Sequence, residues 1–322
     1  MYIKVSSEHI EKIHIECKNE KVLKEIKSYF WNKVKENICK TKTEADIHIS
    51  INYWWKKNIE NNFLEPSALS FQQEHTNIIK NQQNELIWVS INNSKIIKNE
   101  NHFSIELREN ENLNLTIIKQ TIRACIEKIL FDKSYILLHA SSIKTKENCF
   151  LITWEANSWK TTTMLHGLYL QHAEYISNDR VFAKNINGKL HVIWREGLTR
   201  IRKPSMLEIP ILKKQMNTFK MDEADRYIVN NLFEILWWWS ISEWYISHIL
   251  SPNINNDREN KINIKPQQLI TENIILDVPW INLYKDLFWR ESIPTNLDTD
   301  LIPQLEVTKL NGINSIKEFF KK

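Results

Sequence analysis

The stretch Trp154-Glu155-Ala156-Asn157-Ser158-Trp159-Lys160-Thr161-Thr162-Thr163 decides the fold of this chain. It has the spacing of a phosphate-binding loop, G-x-x-x-x-G-K-[ST], with the lysine and the threonine present and both glycines written as tryptophan. The apolar run at 149–153 predicts a strand before the loop, and residues 161–170 predict a helix after it. This order of strand, loop and helix is the context in which such a loop binds phosphate.

The two tryptophans conflict with that motif on physical grounds. The glycines of a phosphate-binding loop adopt positive φ and let backbone N–H groups come close to the phosphates. An indole at Trp154 or Trp159 would occupy space that a nucleotide needs. The loop as written is therefore either altered from a working sequence or degenerate.

Composition favours an altered sequence. The chain has 4 glycines and 13 tryptophans among 322 residues, whereas average usage of about 7% would give roughly 23 glycines. Other tryptophans also stand where glycine is expected, namely Trp194, Trp237, Trp238, Trp239 and Trp280. We hypothesise that UGA codons that mean glycine in the source are read here as tryptophan. The alternative is that the tryptophans are genuine and the loop binds no nucleotide.

Bulk properties limit the class of protein. A chain of 322 residues suits two domains or one large α/β domain with an elaborated flank. With 42% hydrophobic residues, 25% charged residues and a net charge of +4, the composition is typical of a soluble globular protein. The dispersed lysines and arginines do not favour a nucleic-acid partner, and we expect no membrane span or signal peptide.

The cysteines indicate a compartment. Cys17, Cys39, Cys125 and Cys149 lie far apart in the sequence and have no metal-like spacing. Reduced thiols in a cytoplasmic protein are the expected state.

Hydrophobic periodicity divides the chain into an N-terminal α+β region of unassigned function, 1–112, and a P-loop domain, 113–322. In the first region we predict strands at 2–5, 47–53, 86–91 and 102–107, and one helix at 22–38. An amphipathic helix at 115–131 is expected to pack on the sheet of the following domain. In that domain we predict strands at 135–143, 149–153, 174–177, 180–184, 189–193 and 273–278. The strands at 180–184 and 189–193 form a hairpin that turns at Asn187-Gly188. We predict helices at 222–235 and 313–320.

The loop residues have defined chemical roles in the motif. Lys160 would contact the β- and γ-phosphate oxygens, and the Thr161 hydroxyl would bind Mg²⁺. The first-turn amides of the following helix favour an anion, because they have free N–H groups and lie at the positive end of the helix dipole. The predicted nucleotide site, with ATP and Mg²⁺ as cofactors, comprises Trp154, Glu155, Ala156, Asn157, Ser158, Trp159, Lys160, Thr161 and Thr162.

Two further segments flank the loop. Leu137-Leu138-His139-Ala140-Ser141-Ser142 precedes it, and Tyr175-Ile176-Ser177-Asn178-Asp179-Arg180 follows about twenty residues after it. Together with the loop, this arrangement resembles the HPr kinase/phosphorylase family and its relatives, which share the phosphoenolpyruvate-carboxykinase type of P-loop fold. The resemblance covers roughly 130–205. It implies an α/β fold whose P-loop nucleotide-binding core is of the HPr-kinase type.

Carried onto this chain, the resemblance implies roles for two residues outside the loop. His139 would lie near the transferred phosphoryl group. Asp179 would act as the base on the acceptor hydroxyl or, with Thr161, as a Mg²⁺ ligand. The chain departs from the family where an acidic pair is expected, because Asn178 leaves only one carboxylate.

The predicted function is therefore ATP-dependent phosphoryl transfer to a hydroxyl acceptor, on a protein or a small molecule. An alternative from another class is a nucleotide-binding accessory or switch protein without transfer activity. An inactive scaffold follows if the tryptophans are genuine. Each residue also has a plainer interpretation: His139 as a structural histidine, Asp179-Arg180 as a surface ion pair, and Arg200 and Arg202 as solvent-facing. Asp277 imitates the end of a metal-binding strand, and His166 and His172 are expected to be exposed.

Overall fold

The structure is a computed structural model, in which both helices and sheets are present, so the chain is an α/β protein. The described residues fall into two compact units, one up to Asp132 and one from Lys133 onward. The sequence-based boundary at 112/113 lies at the start of a long helix, whereas the compact units divide after it. The structure describes residues 2–4, 12–30, 34–35, 47–53, 76–80, 86–90, 95–99, 101–107, 111–154, 159–194, 199–222, 224–229, 232–236, 239–253, 266–274 and 305–321.

The first unit is built on an eight-stranded sheet in the order β3-β1-β2-β4-β8-β7-β6-β5. Its central strands β2, β4 and β8 are parallel, and the other pairs are antiparallel. The strands are β1 (Tyr2–Lys4), β2 (Lys12–Cys17), β3 (Val34–Lys35), β4 (Ile47–Tyr53), β5 (Thr76–Lys80), β6 (Leu86–Ser90), β7 (Lys95–Asn99) and β8 (His102–Leu107).

Alternating isoleucines give this sheet one apolar face. Ile13, Ile15, Ile47, Ile49 and Ile51 are all at most 4% exposed, because successive side chains of a strand point to opposite faces. Two helices lie in contact with β2 or with each other, α1 (Glu20–Phe30) and α2 (Glu111–Asp132). Helix α2 therefore packs within the first unit.

The polar face of the same sheet carries a row of histidines that the sequence does not reveal. His14, His48 and His102 are register partners on the three parallel strands. Their ring centroids are 5.6 Å apart between His14 and His48 and 6.3 Å apart between His48 and His102. The neighbouring histidines lie 34 and 54 positions apart in the sequence, so only the pairing of the strands brings them together.

In the first unit, two predicted strands are confirmed and the predicted helix is shorter than expected. The strands predicted at 47–53 and 102–107 form with those bounds. The helix predicted over 22–38 ends at Phe30, and Val34–Lys35 instead pairs with β1 as a strand. Sheet pairing overrides the helical periodicity there, since a propensity is a weak prior against tertiary contacts.

The second unit contains a five-stranded sheet in the order β12-β10-β11-β19-β20, in which β11, β19 and β20 are parallel. Its strands are β10 (Ala140–Lys144), β11 (Cys149–Thr153), β12 (Glu174–Ser177), β19 (His248–Asn253) and β20 (Glu306–Asn311). A four-stranded antiparallel sheet comprises β9 (Ile136–Leu138), β13 (Val181–Ile186), β14 (Lys189–Trp194) and β18 (Glu243–Tyr245). A third sheet comprises β15 (Thr199–Arg202), β16 (Lys220–Met221) and β17 (Arg226–Val229).

The predicted hairpin forms between β13 and β14. Asn187 and Gly188 have φ of 51° and 77°, the positive values that a two-residue Asn-Gly turn requires. The helix predicted over 222–235 is wrong, because Arg226–Val229 forms strand β17 and the helix there is restricted to Leu232–Leu236. The strand predicted at 273–278 is described only to Ile274, which makes an isolated bridge to Leu138.

Two helices of the second unit lie against the five-stranded sheet. Helix α3 contacts β10, β11 and β19, and the C-terminal helix contacts α3, β19 and β20. The helices are α3 (Lys160–Gln171), α4 (Lys203–Glu208), α5 (Pro210–Gln215), α6 (Leu232–Leu236), α7 (Pro266–Glu272) and α8 (Gly312–Phe319). A buried cluster that includes Ile143, Leu165, Leu250 and Ile316 joins these layers into one core.

Candidate functional site

The predicted phosphate-binding segment begins with the expected strand and ends with the expected helix. Strand β11 ends at Thr153, and helix α3 begins at Lys160. Glu155, Ala156, Asn157 and Ser158 lie outside the described residues. The described ends of the loop therefore place Trp154 at the end of the strand and Trp159 immediately before the helix.

Trp159 has the backbone conformation of a glycine. Its φ is 67° and its ψ is 17°, a left-handed conformation that costs a bulky L-residue about 1–3 kcal/mol. No side chain caps the helix at this position. The second glycine of the motif is the residue expected to need this conformation, so the backbone agrees with the motif even though the side chain does not.

Lys160 is the first residue of α3 and is 7% exposed. Its Nζ donates a hydrogen bond of 2.8 Å to the Trp154 carbonyl oxygen, which closes the two ends of the loop on each other. Burial lowers the pKa of the Lys160 ammonium to about 8, and the negative charge of Asp179 acts in the opposite direction. A poorly hydrated ammonium at a helix N-terminus is suited to hold a phosphate oxygen.

The next two residues connect the helix to neighbouring elements. The Thr161 hydroxyl donates to Asn178 Oδ1 at 3.5 Å, a distance at the long limit for a hydrogen bond. Thr162 Oγ1 lies 2.6 Å from Ser205 Oγ of α4. Thr161 thus lies toward the segment that carries Asp179, whereas Thr162 lies toward α4.

His139 lies at a break in the strand predicted over 135–143. Residues before it form β9 in the four-stranded sheet, and residues after it form β10 in the five-stranded sheet. Its backbone N–H donates to the Asn273 carbonyl at 2.8 Å. The chain therefore changes sheet at His139, and the imidazole lies where the two sheets separate.

Asp179 follows β12 and, like Trp159, is a non-glycine residue in the left-handed region, with φ of 67°. Its Oδ1 lies 3.3 Å from His139 Nε2, and its Oδ2 lies 3.7 Å from Arg180 Nε. Partial loss of hydration by itself would raise the pKa of the Asp179 carboxyl, although the side chain is 57% exposed. The hydrogen bond from His139 and the positive charges of Arg180 and Lys160 outweigh burial and lower that pKa to about 2. The carboxylate is therefore charged at neutral pH.

Two residues that the sequence did not assign to the site lie between these groups. Ser141 Oγ donates to Asn178 Oδ1 at 3.1 Å, and the Asp179 N–H donates to Ser141 Oγ at 3.3 Å. From the sequence, Asn178 was notable only because it stands where the family resemblance predicts a second carboxylate. The signal that could have found Ser141 is its place two residues after His139 in the strand predicted over 135–143, since residues i and i+2 of a strand share a face.

The alternatives for individual residues are partly resolved. His166 is 2% exposed, so its predicted exposure is wrong, because α3 is covered by other elements along this side. Arg200 and Arg202 are exposed, and Arg200 Nε lies 3.4 Å from Asp222 Oδ2. Asp277, Trp280 and the Trp237-Trp238 pair lie outside the described residues.

Two of the tryptophans that stand where glycine is expected differ in burial. Trp194 is 2% exposed within β14, whereas Trp239 is 78% exposed. A glycine at 194 would leave a cavity in the core, which is costly. The structure therefore favours a genuine tryptophan at 194, in contrast to the expectation from sequence.

Within the described part of the chain, no group of three or more His, Cys, Asp or Glu side chains is placed to hold a metal ion. No helix of the described residues is long and apolar enough to cross a membrane.

Comparisons with known proteins add little. No protein-family model matches the sequence, and no curated protein is significantly similar to it. A solved structure that is similar is an HPr(Ser) kinase/phosphatase from Coxiella burnetii, at 16% identity and a TM-score of 0.25 over 40% of this chain and 71% of that chain. A likeness at this level carries no argument about function.

Proposed function

We propose that the second unit binds Mg-ATP and transfers the γ-phosphoryl group to a hydroxyl acceptor. One observation carries this proposal: the described ends of the P-loop segment, with Lys160 at the start of α3, adjoin the His139–Asp179 pair through Asn178. Phosphoryl transfer depends on positioning and charge neutralisation more than on covalent chemistry. The residues required for both tasks come from three separate segments of the chain.

The phosphate side of the site would be formed by Lys160 and the first turn of α3. Lys160 would exchange its bond to the Trp154 carbonyl for a bond to a phosphate oxygen. The amides of the first turn have no side-chain cap, so they fit a bound anion. Thr161 and Asp179 would hold Mg²⁺, which would supply charge neutralisation on the phosphates.

The tryptophans bear on whether the chain as written can do this. We propose that the active protein has glycine at 154 and 159. The left-handed conformation of Trp159 supports this proposal, because glycine adopts it without steric cost. If both tryptophans are genuine, the inactive scaffold becomes the better interpretation.

On the acceptor side, the His139–Asp179 pair would take the proton of the acceptor hydroxyl. The hydroxyl oxygen would bond to the γ-phosphorus while the bond from phosphorus to the leaving ADP oxygen breaks. A carboxylate with a pKa of about 2 is a weak base at neutral pH, since an effective base has a pKa near the operating pH. Asp179 would therefore act by orienting His139 and by charge, in addition to any direct contact with the acceptor.

The same pKa favours a second candidate. A nucleotide-binding accessory or switch protein needs Lys160 and the loop but needs no effective base. The neutral Asn178 beside Asp179 points the same way, because the site has a single carboxylate at this position. The two candidates differ in one measurable property, the consumption of bound ATP.

Calorimetric titration with Mg-ATP tests the nucleotide site. The chain as written should bind no measurable ATP, while the Trp154→Gly/Trp159→Gly protein should bind it. Trp239→Gly is the matched control, since Trp239 is 78% exposed and its loss should not create ATP binding. Equal affinity in the written and glycine forms would refute the steric argument.

A further inference from the structure

The segment 177–180, which carries Asp179, is held by two buried serines. Ser177 Oγ donates to the Arg180 carbonyl oxygen, and Ser141 Oγ accepts from the Asp179 N–H at 3.3 Å. Both serines are 0% exposed. A left-handed residue such as Asp179, with φ of 67°, persists only where its surroundings hold it. These two hydroxyls contribute to holding Asp179 in that conformation.

Asn178 connects the same segment to the phosphate-binding helix. Its side-chain oxygen accepts from Ser141 Oγ at 3.1 Å and from Thr161 Oγ1 at 3.5 Å. When Thr161 donates its proton to Asn178, the lone pairs of the Thr161 oxygen remain available to a cation. Ser141 therefore contacts both members of the Asn178-Asp179 pair, and Asn178 orients the first hydroxyl of α3.

We propose that Ser141 and Asn178 are positioning residues that set the Mg²⁺ requirement of phosphoryl transfer, an inference that rests on the proposed function. Ser141 fixes the backbone that presents Asp179, and Asn178 fixes the direction of the Thr161 hydroxyl. Because Asn178 is neutral, the cation would be held by one carboxylate and one hydroxyl from these segments. Groups that orient metal ligands typically change metal affinity or activity by about 10- to 100-fold when removed.

The strand that carries Ser141 also supplies a matched control. Ser142 is 0% exposed, and its hydroxyl donates to the Phe150 carbonyl at 3.0 Å. Adjacent strand residues point to opposite faces, so Ser142→Ala removes a buried hydrogen bond of similar strength away from the site. A loss of stability alone should be shared by both serine variants.

The first experiment measures the Mg²⁺ concentration for half-maximal single-turnover ATP consumption in the Trp154→Gly/Trp159→Gly background. Ser141→Ala and Asn178→Ala should each raise it by about 10- to 100-fold, while Ser142→Ala should leave it unchanged. Asn178→Asp should lower it, because a second carboxylate attracts the cation. Opposite shifts from Ala and Asp at one position are not expected of a purely structural residue. Equal Mg²⁺ requirements in the Ser141→Ala, Ser142→Ala and parent proteins would overturn the proposal.

A second experiment separates this inference from the proposed function. Amide hydrogen exchange in the chain as written, without nucleotide, should show faster exchange at Asp179 in Ser141→Ala and unchanged exchange there in Ser142→Ala. Unchanged exchange at Asp179 in Ser141→Ala would overturn the positioning role directly. If exchange changes as expected but the glycine form binds no Mg-ATP, the proposed function fails and takes the Mg²⁺ role with it, while the contact of Ser141 with Asp179 stands.

Discussion

His139 Nε2 lies 3.3 Å from Asp179 Oδ1, and the two residues are 40 positions apart in the sequence. The sheet explains their meeting. Strands β10 and β12 are antiparallel, with Ser142 opposite Ser177. The residue before β10 and the residues after β12 therefore lie at the same edge of the sheet. The side chains of His139 and Asp179 are 36% and 57% exposed, so the pair is open to a ligand.

The coding sequence should distinguish altered tryptophans from genuine ones. We expect UGA at codons 154, 159, 237, 238, 239 and 280. We expect GGN at the four glycine codons, 167, 188, 197 and 312. The buried position of Trp194, at 2% exposure, predicts UGG at codon 194. Sequencing the gene decides the matter, and UGG at both 154 and 159 would end the hypothesis of altered translation.

Nucleotide binding should weaken as the pH rises through the pKa of Lys160. That pKa is lowered to about 8, so the ammonium loses its proton, and with it the charge that holds phosphate, about two units earlier than an exposed lysine would. In the Trp154→Gly/Trp159→Gly protein, the Mg-ATP affinity should fall by up to about tenfold per unit above pH 8. Calorimetry between pH 7 and 9.5 measures it.

Lys160→Arg provides the control for that pH dependence, because a guanidinium stays charged throughout this range. Its Mg-ATP affinity should show no break near pH 8. The free energy of unfolding should change in the opposite direction in the Trp154→Gly/Trp159→Gly protein. Because the pKa of Lys160 is lower in the folded state than in the unfolded state, the protein becomes more stable as the pH rises from 8 to 10.5. A break that persists in Lys160→Arg would assign the titration to another group.

Substitutions at Lys160 and Asp179 should separate binding from transfer. In the glycine form, Lys160→Ala should abolish Mg-ATP binding, because it removes charge neutralisation that the bound phosphates use. Asp179→Ala should leave nucleotide binding in place at saturating Mg²⁺. It should lower the rate of transfer by about 10²–10⁴-fold, the usual contribution of general acid–base catalysis, because it removes the partner that orients His139. Single-turnover assays with labelled ATP measure the rate. Unchanged ATP consumption in Asp179→Ala would favour the binding-only switch protein.

Gly167 should resist substitution because helix α3 packs closely on its neighbours. A Cβ at 167 would lie 2.2 Å from Ile143 Cδ1 and 3.1 Å from two ring atoms of Phe320. Alanine is a better helix former than glycine by about 1 kcal/mol, but overpacking a core costs about 1–3 kcal/mol. We expect Gly167→Ala to lower the free energy of unfolding by about 1 kcal/mol, measured by urea denaturation.

The contact that causes this loss can be tested by a double-mutant cycle. Ile143→Val removes the Cδ1 atom that a Cβ at 167 would meet first. The substitution should destabilise the parent but cost less, or stabilise, in the Gly167→Ala background. Strict additivity of the two changes would show that Ile143 is not the source of the strain.

Stability should also decrease in mild acid because of His166. Burial, together with the charge of Lys317, lowers the pKa of this histidine to about 4. Because the folded pKa lies below the unfolded value of about 6.5, the free energy of unfolding is unaffected above pH 6.5. It decreases as the pH falls from about 6.5 to about 4. Between pH 7 and pH 5 the loss should be about 2 kcal/mol. His166→Leu should reduce that pH dependence, whereas His172→Asn at an exposed position should retain it.

The sequence predicted the elements whose pattern is local. Strands β4, β8, β11 and β12 form with the predicted bounds, because alternation or a short apolar run is complete within five or so residues. The Asn187-Gly188 turn was predictable for the same reason, since positive φ is a property of those two residues. Predictions failed where neighbours decided the outcome, as at Val34–Lys35 and Arg226–Val229, where strand pairing replaces a helical pattern.

The sequence by itself determined which residues could carry chemistry, namely Lys160 and Thr161 at the spacing of a phosphate loop, with His139 and Asp179 as candidates on flanking strands. The tertiary structure decided what surrounds them. The pairings of β10 with β12 and of β9 with β13 bring His139 to Asp179, and the break at His139 divides one predicted strand between two sheets. The tertiary structure also decided the contacts of Ser141 with Asn178 and the burial of His166. A sequence fixes spacing along the chain, whereas hydrogen bonds, burial and pKa shifts arise from groups that folding brings together.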